Sequence, residues 1–241
     1  MMLLNNQIKL LLAIALSMFS ILAYSRPSQQ NLMGNQVTKD GPITICSDAL
    51  TIDQAHHRAI YQGNVFLIQT NNATIQCNAD APFIVPPPPD QPIYNFGKVL
   101  DPNYAKTQQK GLDLAKKVCK RQKGCRYLSG HQLTIITHSD NQTVKKAIMI
   151  APEDQDDVYY YSFPFAKDPE SPDHDGPIFA QGNQLNLLAD ENELVLKGHA
   201  YLEHQQKQFI GDEVQYDLET GTISSPKGEH RSTVIIHNQD L

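Results

Sequence analysis

The residues with the most obvious chemical potential are His199-Ala-Tyr-Leu-Glu203-His204. Two imidazoles and a carboxylate this close could ligate a divalent metal or share a proton. A zincin site, however, needs its two histidines four residues apart on one helix face, with the acid next to the first. Here the order is H-x-x-x-E-H, on a stretch that reads as β-strand. The acidic run from Glu153 to Asp157, EDQDD, has carboxylates but lacks the glycine and terminal glutamate of a calcium loop, so it reads as a solvated turn. There is no G-x-S-x-G, no phosphate-binding loop and no Cys–His nucleophile pair. The expectation is a protein that is not an enzyme, with no metal or other cofactor. Its acidic balance argues against nucleic acid as a partner.

Cysteine is the other reactive type, and its chemistry depends on compartment. Lys9 precedes the apolar run of residues 10–23, LLLAIALSMFSILA, and Ala23-Tyr24-Ser25 follows the small-x-small cleavage pattern. The run is short for a bilayer span. This reads as a secretory signal over residues 1–25, cleaved near Ser25 so that the mature chain is exported; a retained single-pass anchor is the alternative. Export permits disulfides. Cys119 and Cys125 flank the end of an expected helix and are the expected pair. Cys46 and Cys77 read as lying on strands either side of the strand containing Val65, about 10 Å apart. That exceeds disulfide reach, so no bond is expected there.

The elements that carry these residues are mostly β. After a flexible segment, 26–41, short alternating runs begin at "PITICSDALTID", with a break at Ser47-Asp48. "RAIYQGNVFLIQT" and "ATIQCNA" follow, linked by polar turns, as in an antiparallel meander. Prolines at 82, 86–89, 92 and 102 exclude central strands from that stretch. Asn103 is placed to cap a helix over residues 104–123, with Leu112, Ala115 and Cys119 on one face and Gly124 near its end. Gly111 weakens it. Strand character returns with "HQLTIITH" and dominates from residue 178 onward.

The chain also repeats itself. Residues 47–75 align without gaps on 182–210, an offset of 135. Leu50 falls on Leu185, Ile52 on Leu187, Ile60 on Val195, Gly63 on Gly198, Leu67 on Leu202 and Ile75 on Ile210. Such self-similarity implies one recurring β unit. In the first copy Gly63-Asn64 could close a hairpin. The second copy has Gly198-His199 instead. A two-residue hairpin wants Gly, Asn or Asp at both central positions, whereas a bulge needs only the glycine. The expectation is one bent, continuous strand in each copy.

Residues of about 42–80 and 130–237, which contain the two copies, resemble the OstA-like family, the lipopolysaccharide export proteins of LptA type. The first block carries Ser47, Asp48, Leu50, Ile52, Asp53, Tyr61, Gly63, Asn64, Val65, Gln69, Thr74 and Ile75; the second carries Gly198, Ala200, Leu202, Gly211, Asp212, Tyr216 and Asp217. The resemblance implies an all-β fold, an antiparallel open β-jellyroll spanning 42–237, with an apolar interior that shields acyl chains. It implies lipopolysaccharide as ligand, an inner-membrane LptC-like protein and an outer-membrane LptD-like translocon as partners, and head-to-tail self-association. A membrane-anchored LptC-like member of the same pathway, or a secreted glycan-binding or structural β-sandwich, are the alternatives. Residues 81–128 have no counterpart in the family pattern and read as a Pro-rich and helical insertion.

On this reading Ile43, Ile45, Leu50, Ile52, Val65, Leu67, Tyr160, Leu185 and Leu187 are the candidate groove residues. "NVFLIQ" and "DVYYYSFPF" are apolar on both strand faces, more than one core face demands. The insertion has a charge logic of its own. Residues 82–128 hold nine Lys and Arg against three Asp, a net of +6, which leaves −13 for the rest of the mature chain. Lys116, Lys117, Lys120 and Arg121 are the candidates for contact with anionic groups.

Overall fold

The computed structural model describes residues 41–80, 87–122, 124–139, 143–153, 157–163 and 176–236; the expected signal segment and the centre of the acidic turn lie outside them. In chain order the elements are β1 (Ile43–Cys46), β2 (Ala49–Asp53), β3 (Arg58–Thr70), β4 (Thr74–Gln76), β5 (Ile93–Asn95), α1 (Tyr104–Gln122), β6 (Cys125–Thr137), β7 (Val144–Ile150), β8 (Val158–Phe163), β9 (Ile178–Gly182), β10 (Gln184–Leu188), β11 (Glu193–His204), β12 (Lys207–Asp217), β13 (Ile223–Ser224) and β14 (Thr233–Ile236).

All but β4 and β5 form one antiparallel sheet, in the order β1/β2, β3, β6, β7/β8, β10/β9, β11, β12, β13/β14. β3, β6, β11 and β12 are long and run through two half-sheets. The upper half pairs β2 with the start of β3, and β7 and β10 with their neighbours. The lower half pairs β1 with the end of β3, and β8 and β9 with theirs. The result is an all-β, antiparallel, open jellyroll-type architecture: the strands are those that the alternation of apolar residues implies, and the jellyroll is what the resemblance implies.

The bend between the halves has a local cause. Gly63 and Asn64 have φ of 75° and 45°; Gly198 and His199 have 69° and 50°. At both places the register slips by one residue: Gln62 to Val65 faces Gln132 to Gly130, and Lys197 to Ala200 faces Glu213 to Gly211. These are β-bulges, which kink a strand without ending it. The neighbouring strand breaks at the same level. The Asp48 N–H donates to the carbonyls of Gln62 and Gly63 (3.0 and 3.1 Å), and the Asn183 N–H to those of Lys197 and Gly198 (3.0 and 2.9 Å). On the bulged strand and its broken neighbour, each residue of one bend (Asp48, Gln62, Gly63, Val65) is 135 positions from its equivalent in the other (Asn183, Lys197, Gly198, Ala200). The repeat is therefore structural, and Gly63 marks a bulge, not a hairpin.

The repeat stops sooner than its sequence alignment does. Ile210 lies on β12 in the main sheet. Ile75 instead lies on β4, which pairs with β5 in a separate parallel two-stranded sheet. The chain leaves the main sheet after Thr70, and β6 takes the place beside β3 that β12 takes beside β11. Gly130 opposite Val65 thus matches Gly211 opposite Ala200.

The excursion before β6 builds a second layer. Asn103 Oδ1 accepts from the Lys106 N–H at 2.9 Å, capping α1 as expected. Leu112, Ala115, Val118 and Cys119 of α1 are buried against Phe66, Ile68 and Tyr127, on the outer face of the lower half-sheet. Phe96 from a 3₁₀ turn completes an aromatic cluster, 5.6 Å from Phe66 and 6.1 Å from Tyr127 between ring centroids. This layer explains why "NVFLIQ" is apolar on both faces. Val65 and Leu67 face the interior, while Phe66 and Ile68 lie under the helix. β6 starts at Cys125, earlier than "HQLTIITH", because its first residues are needed under the same layer.

Both ends of the layer are covalently tied. Cys119 pairs with Cys125 across the end of α1, with Cα atoms 4.9 Å apart. Cys46 pairs with Cys77, Cα atoms 5.2 Å apart, against the sequence-based expectation. That expectation placed Cys77 on the far side of β3. In the fold Cys77 follows β4 back over the outer face of β1, where its sulfur lies 4.0 Å from the carbonyl of Ile45.

Candidate functional site

The candidate site is the space between the two half-sheets. Residues directly opposite in antiparallel pairs project to the same face, so the register defines its lining. In the upper half one inward row runs Ile52, Ala59, Ile135, Ala147, Leu187, Leu194, Tyr216, Ile223. It is apolar throughout, apart from the tyrosine hydroxyl. In the lower half Leu67, Leu128, Tyr160, Ala180, Leu202 and Phe209 form an inward row of the same kind. The next row, at the free rim, is different: Gln69, Arg126, Ser162, Ile178, His204 and Lys207. One lip of the interior is therefore apolar and the other is largely polar.

The nine residues expected to line a groove fall into three groups. Val65, Leu67, Tyr160, Leu185 and Leu187 are buried in one continuous cluster. Ile43 and Ile45 are partly buried against that cluster, on the edge strand β1. Leu50 and Ile52 project inward from β2 but remain 51% and 65% exposed. They do so because β2 is the edge of the upper half-sheet and its inner side opens to solvent. Interior residues that were not singled out from sequence, such as Leu133, Leu202 and Tyr216, stand in alternating runs whose period-2 pattern marks them for one face.

Among the described residues, cavities open at both ends of the interior. The first is a cavity of about 410 Å³ lined by Ile52, Ala59, Tyr61 and Ile135, with Asp53 and Arg58 at its edge. Burial raises the pKa of the Tyr61 phenol, which keeps it neutral. Asp53 is bonded by His56, 2.8 Å away, and Arg58, 2.9 Å away, and these hold its carboxyl below the usual range. The charge at this mouth is thus internally matched. The second cavity, about 370 Å³, is lined by His204, Gln205, Lys207, Phe209, Thr220, Gly221 and Ile223. Phe209 and Ile223 connect it to the apolar cluster.

The residues that looked like a metal motif are separated by the strand. Glu203 and His204 are adjacent on β11 and so project to opposite faces. Glu203 is exposed and accepts from the Tyr201 hydroxyl at 2.8 Å; His204 is buried on the inner face. Among the described residues no cluster of three or more His, Cys, Asp or Glu could hold a metal ion.

The basic residues of α1 lie apart from this space. Lys116, Lys117, Lys120 and Arg121 are exposed on the helix, outside the lower half-sheet. The Lys116 ammonium stands 5.1 Å from the Phe179 ring centroid and 5.9 Å from that of Tyr161, a cation–π arrangement on the outer face. Among the described residues no helix is long and apolar enough to cross a membrane.

No family model matches the chain, and no curated protein does. Among solved structures, the chain is similar to LptH, described as the LptA-homologous periplasmic component of the lipopolysaccharide transport device of Pseudomonas aeruginosa. The match covers 88% of this chain and 100% of that one, with 14% sequence identity and a TM-score of 0.48.

Proposed function

We propose that this protein is a periplasmic carrier that binds lipopolysaccharide, shields its acyl chains between the half-sheets, and bridges an inner-membrane export complex to an outer-membrane translocon. The observation that carries the reading is Leu50 and Ile52: large aliphatic side chains that project inward yet stay open to solvent beside a 410 Å³ cavity. A closed core has no use for them, whereas hydrocarbon reaching the β2 side of the interior would cover them. The sequence motifs shared with the OstA-like family supply the ligand and the pathway. Ile43, Ile45, Val65, Leu67, Tyr160, Leu185 and Leu187 continue the lining. Lys116, Lys117, Lys120 and Arg121 are proposed contacts for anionic groups from outside it; reversing their charge lowers binding and its salt dependence, and unchanged binding would rule them out.

The partners follow from the sheet edges. An LptC-like protein, an LptD-like translocon or a second copy would add a strand at β1/β2 or at β13/β14. The internal repeat supplies a register for self-association. Within the chain, β8 of the first unit meets β9 of the second through Tyr160 opposite Ala180. Ala180 is equivalent to Ile45 by the offset of 135. Val234 occupies beside Phe209 the place that Tyr160 occupies beside Leu128. Head-to-tail association would then set Val234 against Ile45 of the next copy, and Ile236 against Ile43. Val234 and Ile236 are 54% and 62% exposed, as an unpaired edge would leave them.

A second reading has an observation in its favour. Leu185 and Leu187 are almost fully buried by protein alone, as in a closed secreted β-sandwich. A photo-crosslinking residue at Ile45 or Ile52, in cells, separates the two. Capture of lipopolysaccharide there, and not at the solvent-facing Glu191, is the expected outcome. Capture only at Glu191, or none, overturns the carrier reading in favour of the closed sandwich.

A further inference from the structure

The two mouths differ in charge, and that difference has a consequence for what each can hold. At the β2 mouth Arg58 is committed to Asp53 at 2.9 Å. At the opposite mouth Lys207 projects inward from the first position of β12, opposite His204 in register, and has no acidic side chain among the residues lining that cavity. Thr220 and Gly221 reach the same cavity from the turn after β12, so both half-sheets contribute to it. Its floor is Phe209 and Ile223, which pack against the apolar cluster. A cavity with an apolar floor leading inward and a cation at its opening matches an amphiphile with a negatively charged head.

From this geometry we infer that the cavity between His204, Lys207 and Thr220 receives the anionic head group of an amphiphile whose hydrocarbon part runs inward over Phe209 and Ile223. This rests on the carrier reading and adds an orientation to it: head at the β12 side, chains toward β2. The Lys207 ammonium supplies the charge. The Thr220 hydroxyl donates to that of Thr222 at 2.8 Å and accepts from the Thr222 N–H at 3.3 Å, which fixes the turn that forms the opposite lip. The apolar upper lip leaves the lower rim as the polar side of the opening. A phosphoryl head group suits this arrangement, because the Lys207 ammonium, with three N–H donors, can meet more than one of its acceptor oxygens.

The test is calorimetric titration of the mature chain with dodecyl phosphate, dodecyl maltoside and inorganic phosphate, each below micelle formation. The wild-type chain binds dodecyl phosphate more tightly than the maltoside. Lys207→Met weakens dodecyl phosphate binding about 10-fold or more, the size of one charge-assisted contact, and leaves the maltoside unchanged. Lys207→Arg restores it. Equal loss for both detergents, or no loss for either, overturns the head-group site while leaving the carrier reading intact. Inorganic phosphate binding as tightly as dodecyl phosphate also overturns it, since the site would then be an anion site without a lipid. Failure of both detergents to bind the wild-type chain removes the carrier reading, and the orientation with it.

Discussion

The side chain of Asp48 occupies the space that a β-carbon on residue 63 would need, and Asn183 does the same to residue 198. The glycines are therefore demanded twice, by a positive φ and by a neighbouring side chain that fills the space of a β-carbon. Gly63→Ala and Gly198→Ala should each destabilise the fold by about 1–3 kcal/mol, combining left-handed backbone strain with steric conflict. Urea unfolding measures this. If Asp48→Ala rescues Gly63→Ala fully, the backbone strain is negligible and only the steric part of the argument survives.

Gly111 offers a sharper test, because helix propensity predicts the opposite sign. Alanine in mid-helix is ordinarily favoured over glycine by about 1 kcal/mol. A β-carbon at residue 111 would lie 2.6 Å from the Tyr127 hydroxyl oxygen and 2.8 Å from Phe66 Cε1. Those rings are locked in the aromatic cluster, so Gly111→Ala should cost about 1–3 kcal/mol from overpacking. A stabilised variant in thermal unfolding would show that α1 can shift away from the sheet freely.

The Cys46–Cys77 bond joins residues 31 apart in sequence and fastens the start of the inserted layer to β1. Replacing both by alanine should cost about 3–4 kcal/mol on the chain-entropy estimate. Mass mapping of a non-reduced digest tests the pairing, and unfolding with and without reductant tests the magnitude. Recovery of Cys46 linked to Cys119 would contradict the fold of the insertion.

The pairing Val234 to Ile45 of the next copy can be trapped directly. A chain carrying Val234→Cys mixed with one carrying Ile45→Cys should form an intermolecular disulfide, since directly opposed residues bring Cα atoms within about 4.5–5.5 Å. Ile235→Cys, one residue out of register, should form it poorly with Ile45→Cys. Equal yields would remove the register that the repeat implies.

The segment leading into β14 carries a pH dependence. Asp212 accepts from the His230 backbone N–H and from its ring Nδ1, both at 2.8 Å. The bonds lower the Asp212 pKa and raise that of His230. A raised histidine contributes stability that is complete below its unfolded value, about 6.5, and is lost as pH rises through the folded value. A lowered aspartate contributes stability that is present above its unfolded value, about 3.9, and is lost as pH falls through the folded one. The link is thus strongest between roughly pH 4 and 6.5. Amide exchange in β14, corrected for intrinsic rate, should show more protection at pH 5.5 than at 8.5. Asp212→Asn should abolish that difference.

Much of the architecture was legible because its causes are local. Gly63 and Gly198 at equal places in a repeat are read from 29 aligned residues, and Asn103 caps α1 through a contact three residues away. Strand geometry puts Val65 with Leu67, and Leu185 with Leu187, on a shared face because successive side chains must alternate, though "NVFLIQ", apolar on both faces, did not say which face looks inward. The tertiary structure alone decided what lay opposite each face. Phe66 and Ile68 are buried because a helix forty residues onward covers them, and Cys77 reaches Cys46 because β4 leaves the main sheet. Lys207 shares a cavity with Thr220 for the same kind of reason: bulges at Gly63 and Gly198 fold one half-sheet toward the other. A strand's own residues determine that it has two faces and where it bends. Which layer meets each face is set by contacts between distant segments, and those exist only once the chain has folded.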